Sequence, residues 1–241
     1  RNLISEGSDL RRKFLDGILA QYDKKYLEAL LQYNKVLSQR NALLKYFFKE
    51  RTYSQEQLEV WDSQLVNLGE LILQKRTTLT KDFIPVFQKY YEKISGSKEV
   101  VDLAYESQLI DHDFQELLNQ SVKKDIQRQF SNVGIHKDDL LFTLKGNSIK
   151  KFASQGQQKT FLIALKLAQL EFLKEVKKQT PILLLDDIFD KLDEHRVGQL
   201  LELVNSNEFG QIFITDTDLG RTERILKKIN SEHVIFEVAN G

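Results

Sequence analysis

Ile182-Leu183-Leu184-Leu185 runs directly into Asp186-Asp187. Four large apolar residues without polar alternation suit a strand buried on both faces of a sheet. Such a strand needs helices to cover it, and the flanking segments supply them. Residues 157–176 and 194–206 both space their apolar residues at helical period. Residues 211–216 then read as a strand, 221–229 as a helix and 234–238 as a strand. Strands alternating with helices predict parallel βαβ units.

Upstream the pattern changes. Residues from about 8 to 93 read as helical, with Ser8 and Asp9 placed to cap the first helix. From Leu27 the chain steps by three and four through Leu30, Asn34, Leu37, Asn41, Leu44 and Phe48. This is a heptad seam in which the asparagines trade stability for register. A second seam, Leu58, Trp61, Leu65, Leu68 and Ile72, follows Ser54-x-x-Gln57, a capping-box pattern. Together they predict an antiparallel helical hairpin turning at 49–53, with Pro85 kinking or ending its second helix. The expected division is an all-α helical-hairpin arm, residues 1–95, and an α/β head, residues 96–241. Within the head, 100–105 and 140–144 read as strands and 112–129 as a helix. Gly146-Asn147 is expected to turn the chain back into 148–152.

Two stretches carry chemistry. Ser154-Gln155-Gly156-Gln157-Gln158 opens a long helix, and serine as an N-cap would explain it alone. The paired carboxylates one helix later add a second reading. A glycine allows close backbone approach, a serine hydroxyl donates to a phosphate oxygen, and a helix N-terminus favours an anion. Acids at a strand's C-terminal end suit a Mg²⁺-dependent nucleotide site, Asp186 holding the metal through water and Asp187 orienting or deprotonating water. Asp193 serves equally as the cap of the helix beginning at Glu194. His136 stands alone in Gly-Ile-His-Lys-Asp-Asp and reads as a structural hydrogen-bonding residue, with no second histidine at metal spacing.

Ala153-Ser154-Gln155-Gly156-Gln157 resembles the signature motif of ABC-type ATPases. Leu183-Leu184-Leu185-Asp186-Asp187 resembles their Walker B strand, and Asp190-Lys191-Leu192-Asp193 their D-loop. The spelling SQGQQ, LLLDDIFDKLD and FITDT, with RRKFLD, QRNALLK and GIHKDDL upstream, resembles the RecF family of bacterial DNA repair proteins across nearly the whole chain. The resemblance implies a partial ABC-ATPase-like head, a mixed sheet with helices, joined to the arm. It implies ATP and Mg²⁺ as cofactors of the intact protein. Ser154, Gln155, Gly156 and Gln157 would read the nucleotide held by the opposite subunit of an ATP-dependent homodimer, Asp193 would face that subunit, and Thr217 would complete the nucleotide-binding set. Asp186 would hold the metal, and Asp187 would stand where the usual catalytic glutamate does, its shorter reach suiting slow turnover. Gln155 departs from the commoner glycine, and Thr215 or Thr217 stands where such ATPases carry a phosphate-sensing histidine. Implied partners are single-stranded or gapped duplex DNA and recombination-mediator proteins, in a bacterial cytoplasm at the nucleoid, with recombinase loading as the outcome. The other readings are a non-catalytic DNA- or protein-binding module and an SMC-like chromosome protein.

A P-loop needs Gly-Lys before its hydroxyl residue. None of the 11 glycines here precedes a lysine. These residues alone are therefore expected to lack turnover, and a slow DNA-stimulated ATPase is expected of the intact protein. A start at Arg1 and the absence of methionine read as a C-terminal fragment. Lys plus Arg equals Asp plus Glu at 35 each, so a DNA surface must come from local segregation of charge. Pairs such as Lys123-Lys124 and Lys150-Lys151 read as solvated faces. Zero cysteines exclude disulfides and thiolate metal sites. No apolar run nears the ~20 residues that span a bilayer.

Overall fold

A computed structural model of the chain describes residues 2–96, 99–186, 191–205, 209–216, 220 and 233–238. In chain order, its elements are α1 (Ser8–Leu19), α2 (Lys24–Glu50), α3 (Gln55–Ser95), β1 (Val101–Glu106), α4 (Phe114–Arg128), a 3₁₀ turn (Ile135–Lys137), β2 (Asp139–Leu144), β3 (Asn147–Ser148), α5 (Ile149–Phe152), α6 (Gln155–Lys177), β4 (Leu183–Asp186), α7 (Glu194–Asn205) and β5 (Ile212–Thr215). One sheet has the order β1-β2-β3, and β4 and β5 form another. The chain packs as two compact units, Arg1–Pro85 with Asp102–Thr143, and Val86–Val101 with Leu144–Gly241. The expected boundary at residue 95 is where α3 ends. Packing divides that same helix after Pro85.

The helical hairpin forms as expected, but its buried stripe on α2 lies elsewhere. Leu27, Asn34 and Phe48 are exposed, and the buried face is Tyr26, Ala29, Tyr33, Val36, Arg40, Leu44 and Phe47. The reason is chemical. This interior is built partly from tyrosines and an arginine, which apolar counting passes over. Arg40 is fully buried; its Nε donates to Asp62 Oδ1 at 2.5 Å and its Nη1 to Asp125 Oδ2 at 2.7 Å and Ser131 Oγ at 2.8 Å. Asn41 receives bonds from the Ser131 N–H and hydroxyl, both at 2.8 Å. It serves as a hydrogen-bond acceptor, not as a seam residue. Arg76 of α3 repeats the device, donating to both oxygens of Asp16 at 2.9 and 3.1 Å and to the Ile135 carbonyl at 2.9 Å. On the second seam Leu58, Leu65 and Ile72 are buried as expected, while Asp62 and Gly69 take the inward places near the half-buried Trp61 and Leu68.

Local signals hold in part. Ser54 caps α3, its hydroxyl accepting from the Gln57 N–H at 3.3 Å. Helix α1 starts one residue earlier than a Ser8 cap would allow, with Gly7 as N-cap and no side-chain bond; Asp9 instead pairs with Lys13 at 2.7 Å. Pro85 does not end α3, which runs on to Ser95. The carbonyl that the missing N–H would have engaged belongs to Lys81, and both residues are exposed, so water can satisfy it. Residues 149–152 form the short helix α5, and 233–238 carry no regular structure, where a strand was expected. The predicted helix at 221–229 lies outside the described residues.

His136 behaves as a structural residue. Its Nε2 lies 3.1 Å from the Ser131 carbonyl, so this nitrogen carries the proton, and Nδ1 accepts from the Tyr33 hydroxyl at 3.1 Å. Burial holds its pKa down to about 4. Gly134, at φ +127°, lets the chain pass against the Tyr33 hydroxyl, where a Cβ would collide.

In the second unit α6 is the central helix. Phe161 stacks at 4.7 Å from Phe87 and 6.1 Å from Tyr91, and Ala164, Leu165 and Ala168 are fully buried beneath it. Truncating a ring so placed costs about 3–5 kcal/mol. Strands β4 and β5 pair in parallel, Leu183 with Ile212 through Asp186 with Thr215, as the βαβ pattern predicts. Leu183 and Leu185 are buried, yet Leu184 is 72% exposed and its partner Phe213 47%. The apolar run therefore has one covered face where two were expected.

Candidate functional site

Helix α6 begins in a reciprocal capping box. Ser154 Oγ accepts from the Gln157 N–H at 3.2 Å, and Gln157 Oε1 accepts from the Ser154 N–H at 2.8 Å. The box closes two of the groups a helix start leaves open. The N–H groups of Gln155 and Gly156 keep no partner among the described residues. Ser154 and Gln155 are exposed. A 23-residue helix thus presents free N–H groups, a serine hydroxyl and the positive end of its dipole to solvent. The cap and the anion site are compatible uses of one turn, because the hydroxyl oxygen accepts while its proton remains to donate.

Gly156 meets the next motif. A Cβ on this residue would stand 3.1 Å from the Lys191 carbonyl oxygen, so the backbone of the 191–193 turn approaches where a side chain would crowd it. Asp193 caps α7, its Oδ1 accepting from the Arg196 N–H at 2.8 Å, and its carboxylate stays 64% exposed. The fold therefore brings Ser154, Gln155, Gly156, Gln157 and Asp193 to neighbouring turns.

Asp186 ends β4 and is exposed, with one carboxylate oxygen accepting from the Thr215 hydroxyl across the ladder at 2.5 Å. That bond leaves its other oxygen for a ligand. Among the described residues no group of three His, Cys, Asp or Glu is placed to hold a metal ion. One carboxylate suits Mg²⁺, which keeps several waters and takes phosphate oxygens to complete its shell. Asp187, Asp190 and Thr217 lie outside the described residues. Thr215, the other candidate at the end of β5, is the partner of Asp186.

Two residues that sequence reading passed over converge here, Glu99 and Arg196. Glu99 is one carboxylate in a loop and Arg196 one cation on a charged helix, so no spacing pattern marked either. Burial raises the Glu99 carboxyl, but hydrogen bonds from Gln157 and Tyr91 and the Arg196 charge outweigh it and hold the pKa below the ordinary range. The carboxylate is accordingly ionised at neutral pH. Among the described residues no helix is long and apolar enough to cross a membrane.

No protein-family model matches the chain. The chain is 50% identical over 238 residues to the DNA replication and repair protein RecF of Flavobacterium johnsoniae, covering 99% of the chain and 66% of that relative. It is 49% identical over 240 residues to the protein of the same name from Phocaeicola vulgatus, covering 99% and 64%. The chain spans just under two thirds of the length of these relatives. Among solved structures it matches the recombination mediator protein RecF of the RecFOR pathway in two forms. The form with ATP gives a TM-score of 0.79 at 30% identity, and the form with ATPrS 0.77 at 31%. Each match covers 90% of this chain and 60% of the other.

Proposed function

This chain belongs to the RecF family of DNA replication and repair proteins, and from that membership we propose that it supplies one wall of an ATP site completed by a second subunit. The observation that carries the reading is the exposed start of α6 beside the 191–193 turn, with free N–H groups and the Ser154 hydroxyl facing outward. A surface of that kind binds an anion presented from outside the subunit. No glycine in the chain is followed by lysine, so a Walker A lysine is not among these residues.

In this reading Ser154 donates its hydroxyl proton to a terminal phosphate oxygen while its own oxygen stays in the capping box. The N–H groups of Gln155 and Gly156 and the α6 dipole add to the field. Gln155 reaches the same surface with an amide where a glycine is commoner. Asp193 faces the partner and Thr217 lies after β5, where a hydroxyl reports on the phosphate. Asp186, oriented by Thr215, would hold Mg²⁺ through water, and the ion would supply charge neutralisation at the phosphates. Asp187 orients or deprotonates the attacking water. ATP then acts as an adhesive between subunits, and its hydrolysis loosens a clamp on single-stranded or gapped duplex DNA, where recombination-mediator proteins help load recombinase. The domain roles follow, residues 1–95 as arm and 96–241 as the later part of the head.

Ser154→Arg in the full-length protein tests the reading. The expected result is loss of ATP-driven dimerisation, measured by sedimentation, with ATP binding to the monomer retained. Loss of monomer binding would instead place Ser154 on the subunit's own nucleotide. Unchanged dimerisation would favour a DNA- or protein-binding module without a composite site.

A further inference from the structure

Glu99 occupies an irregular segment just before β1, yet its carboxylate collects donors from three helices. Oε1 accepts from Gln157 Nε2 of α6 at 2.7 Å and from Arg196 Nη2 of α7 at 3.2 Å. Oε2 accepts from the Tyr91 hydroxyl of α3 at 2.6 Å and from the same Arg196 nitrogen at 3.3 Å. Both side chains are 12% exposed. Arg196 also donates through Nη1 to Thr160 Oγ1 at 2.8 Å, and its Nε lies 3.3 Å from Asp193 Oδ2. Thr160 in turn donates to the Gly156 carbonyl at 2.8 Å.

These bonds form two relays. One runs from Glu99 through the Gln157 amide to the Ser154 N–H, because Gln157 Nε2 binds Glu99 while its Oε1 binds Ser154. The other runs from Glu99 through Arg196 to Asp193 on one branch and to the Gly156 carbonyl, by way of Thr160, on the other. The turn that offers Ser154 and the turn that offers Asp193 are thus fastened to one carboxylate. Below them α6 is held by apolar packing, which is non-directional. The polar contacts at its first turn are directional and fix orientation there, as charge-assisted bonds do, while farther along α6 Glu171 pairs with Lys89 of α3 at 3.1 Å. We propose that Glu99 and Arg196 are positioning residues that lock the Ser154–Gln157 and 191–193 turns at one spacing, and that the surface accepts ATP from a partner only while this clamp is closed. The proposal rests on the composite ATP site above.

The test is the ATP concentration that half-dimerises the full-length protein. Glu99→Gln and Arg196→Lys should each raise it about tenfold, the loss of one charged hydrogen bond. Gln157→Ala should remove the first relay and leave the Arg196 relay in place. In that background Glu99→Gln should add less than its tenfold effect alone, because residues sharing one contact are not additive. A merely structural pair would add independently to Gln157→Ala, and that result overturns the clamp while leaving the ATP site intact. If Ser154→Arg leaves dimerisation unchanged, the ATP reading fails, and the clamp is then decided by amide exchange. Glu99→Gln should speed exchange at 153–158 and 191–196 together. Faster exchange at one turn only would overturn it.

Discussion

Arg40 and Arg196 each stand among carboxylates, with opposite consequences. Arg40 is sealed inside the first unit, 0% exposed, between Asp62 and Asp125. Arg196 lies at the edge of the second, its bonds leading to turns that face solvent. In apolar surface the contrast is local, since Leu31 and Val60 of the first unit are also exposed. The first unit covers the hairpin's end by packing Leu44, Phe47 and Leu58 against Val122 and Ile126. The second leaves Leu184 and Phe213 open as a register pair. The first unit spends its charges on holding itself together, as a scaffold does. The second carries unspent N–H groups, an exposed carboxylate and an uncovered apolar face.

The sharpest way to break the contrast is Arg40→Met. It strands two buried carboxylates, so the first unit should lose about 3–5 kcal/mol, whereas Arg196→Met, nearer water, should cost about 1 kcal/mol. Urea melts of the two variants compare them directly, and equal losses would erase the distinction.

Acid gives a smaller effect of defined sign. His136 holds its pKa at about 4 against an ordinary 6.5, so the unfolded chain takes up a proton that the folded chain refuses. Its contribution is complete above about pH 6.5 and is lost as pH falls toward 4, by up to about 3 kcal/mol. His136→Gln should flatten the dependence of stability on pH in that window. An unaltered slope would show the imidazole to be freely protonated.

Pro85→Ala should give a small change of the opposite sign. Restoring an N–H opposite the Lys81 carbonyl and a better helix former should stabilise the protein by about 1–2 kcal/mol, after allowance for a freer unfolded chain. A lowered thermal midpoint would mean that α3 needs its proline where packing passes from one unit to the other.

What the sequence determined by itself was local and periodic. The Ser54 cap and the Ser154 capping box needed only a serine and a glutamine three residues on. The long helices and the β4–α7–β5 repeat followed from spacing, because apolar period reports secondary structure directly. Tertiary structure decided which residues face inward. The α2 stripe moved from Leu27, Asn34 and Phe48 to Tyr26, Tyr33 and Arg40, because a buried arginine is stable only where carboxylates from α3 and α4 reach it, and no local pattern encodes a partner 85 positions away. The same holds for the candidate site. Its motifs lay in the sequence as Ser154, Gly156, Asp186 and Asp193. That one carboxylate at residue 99 fastens two of those turns together is a property of three helices meeting, and only the folded chain contains it.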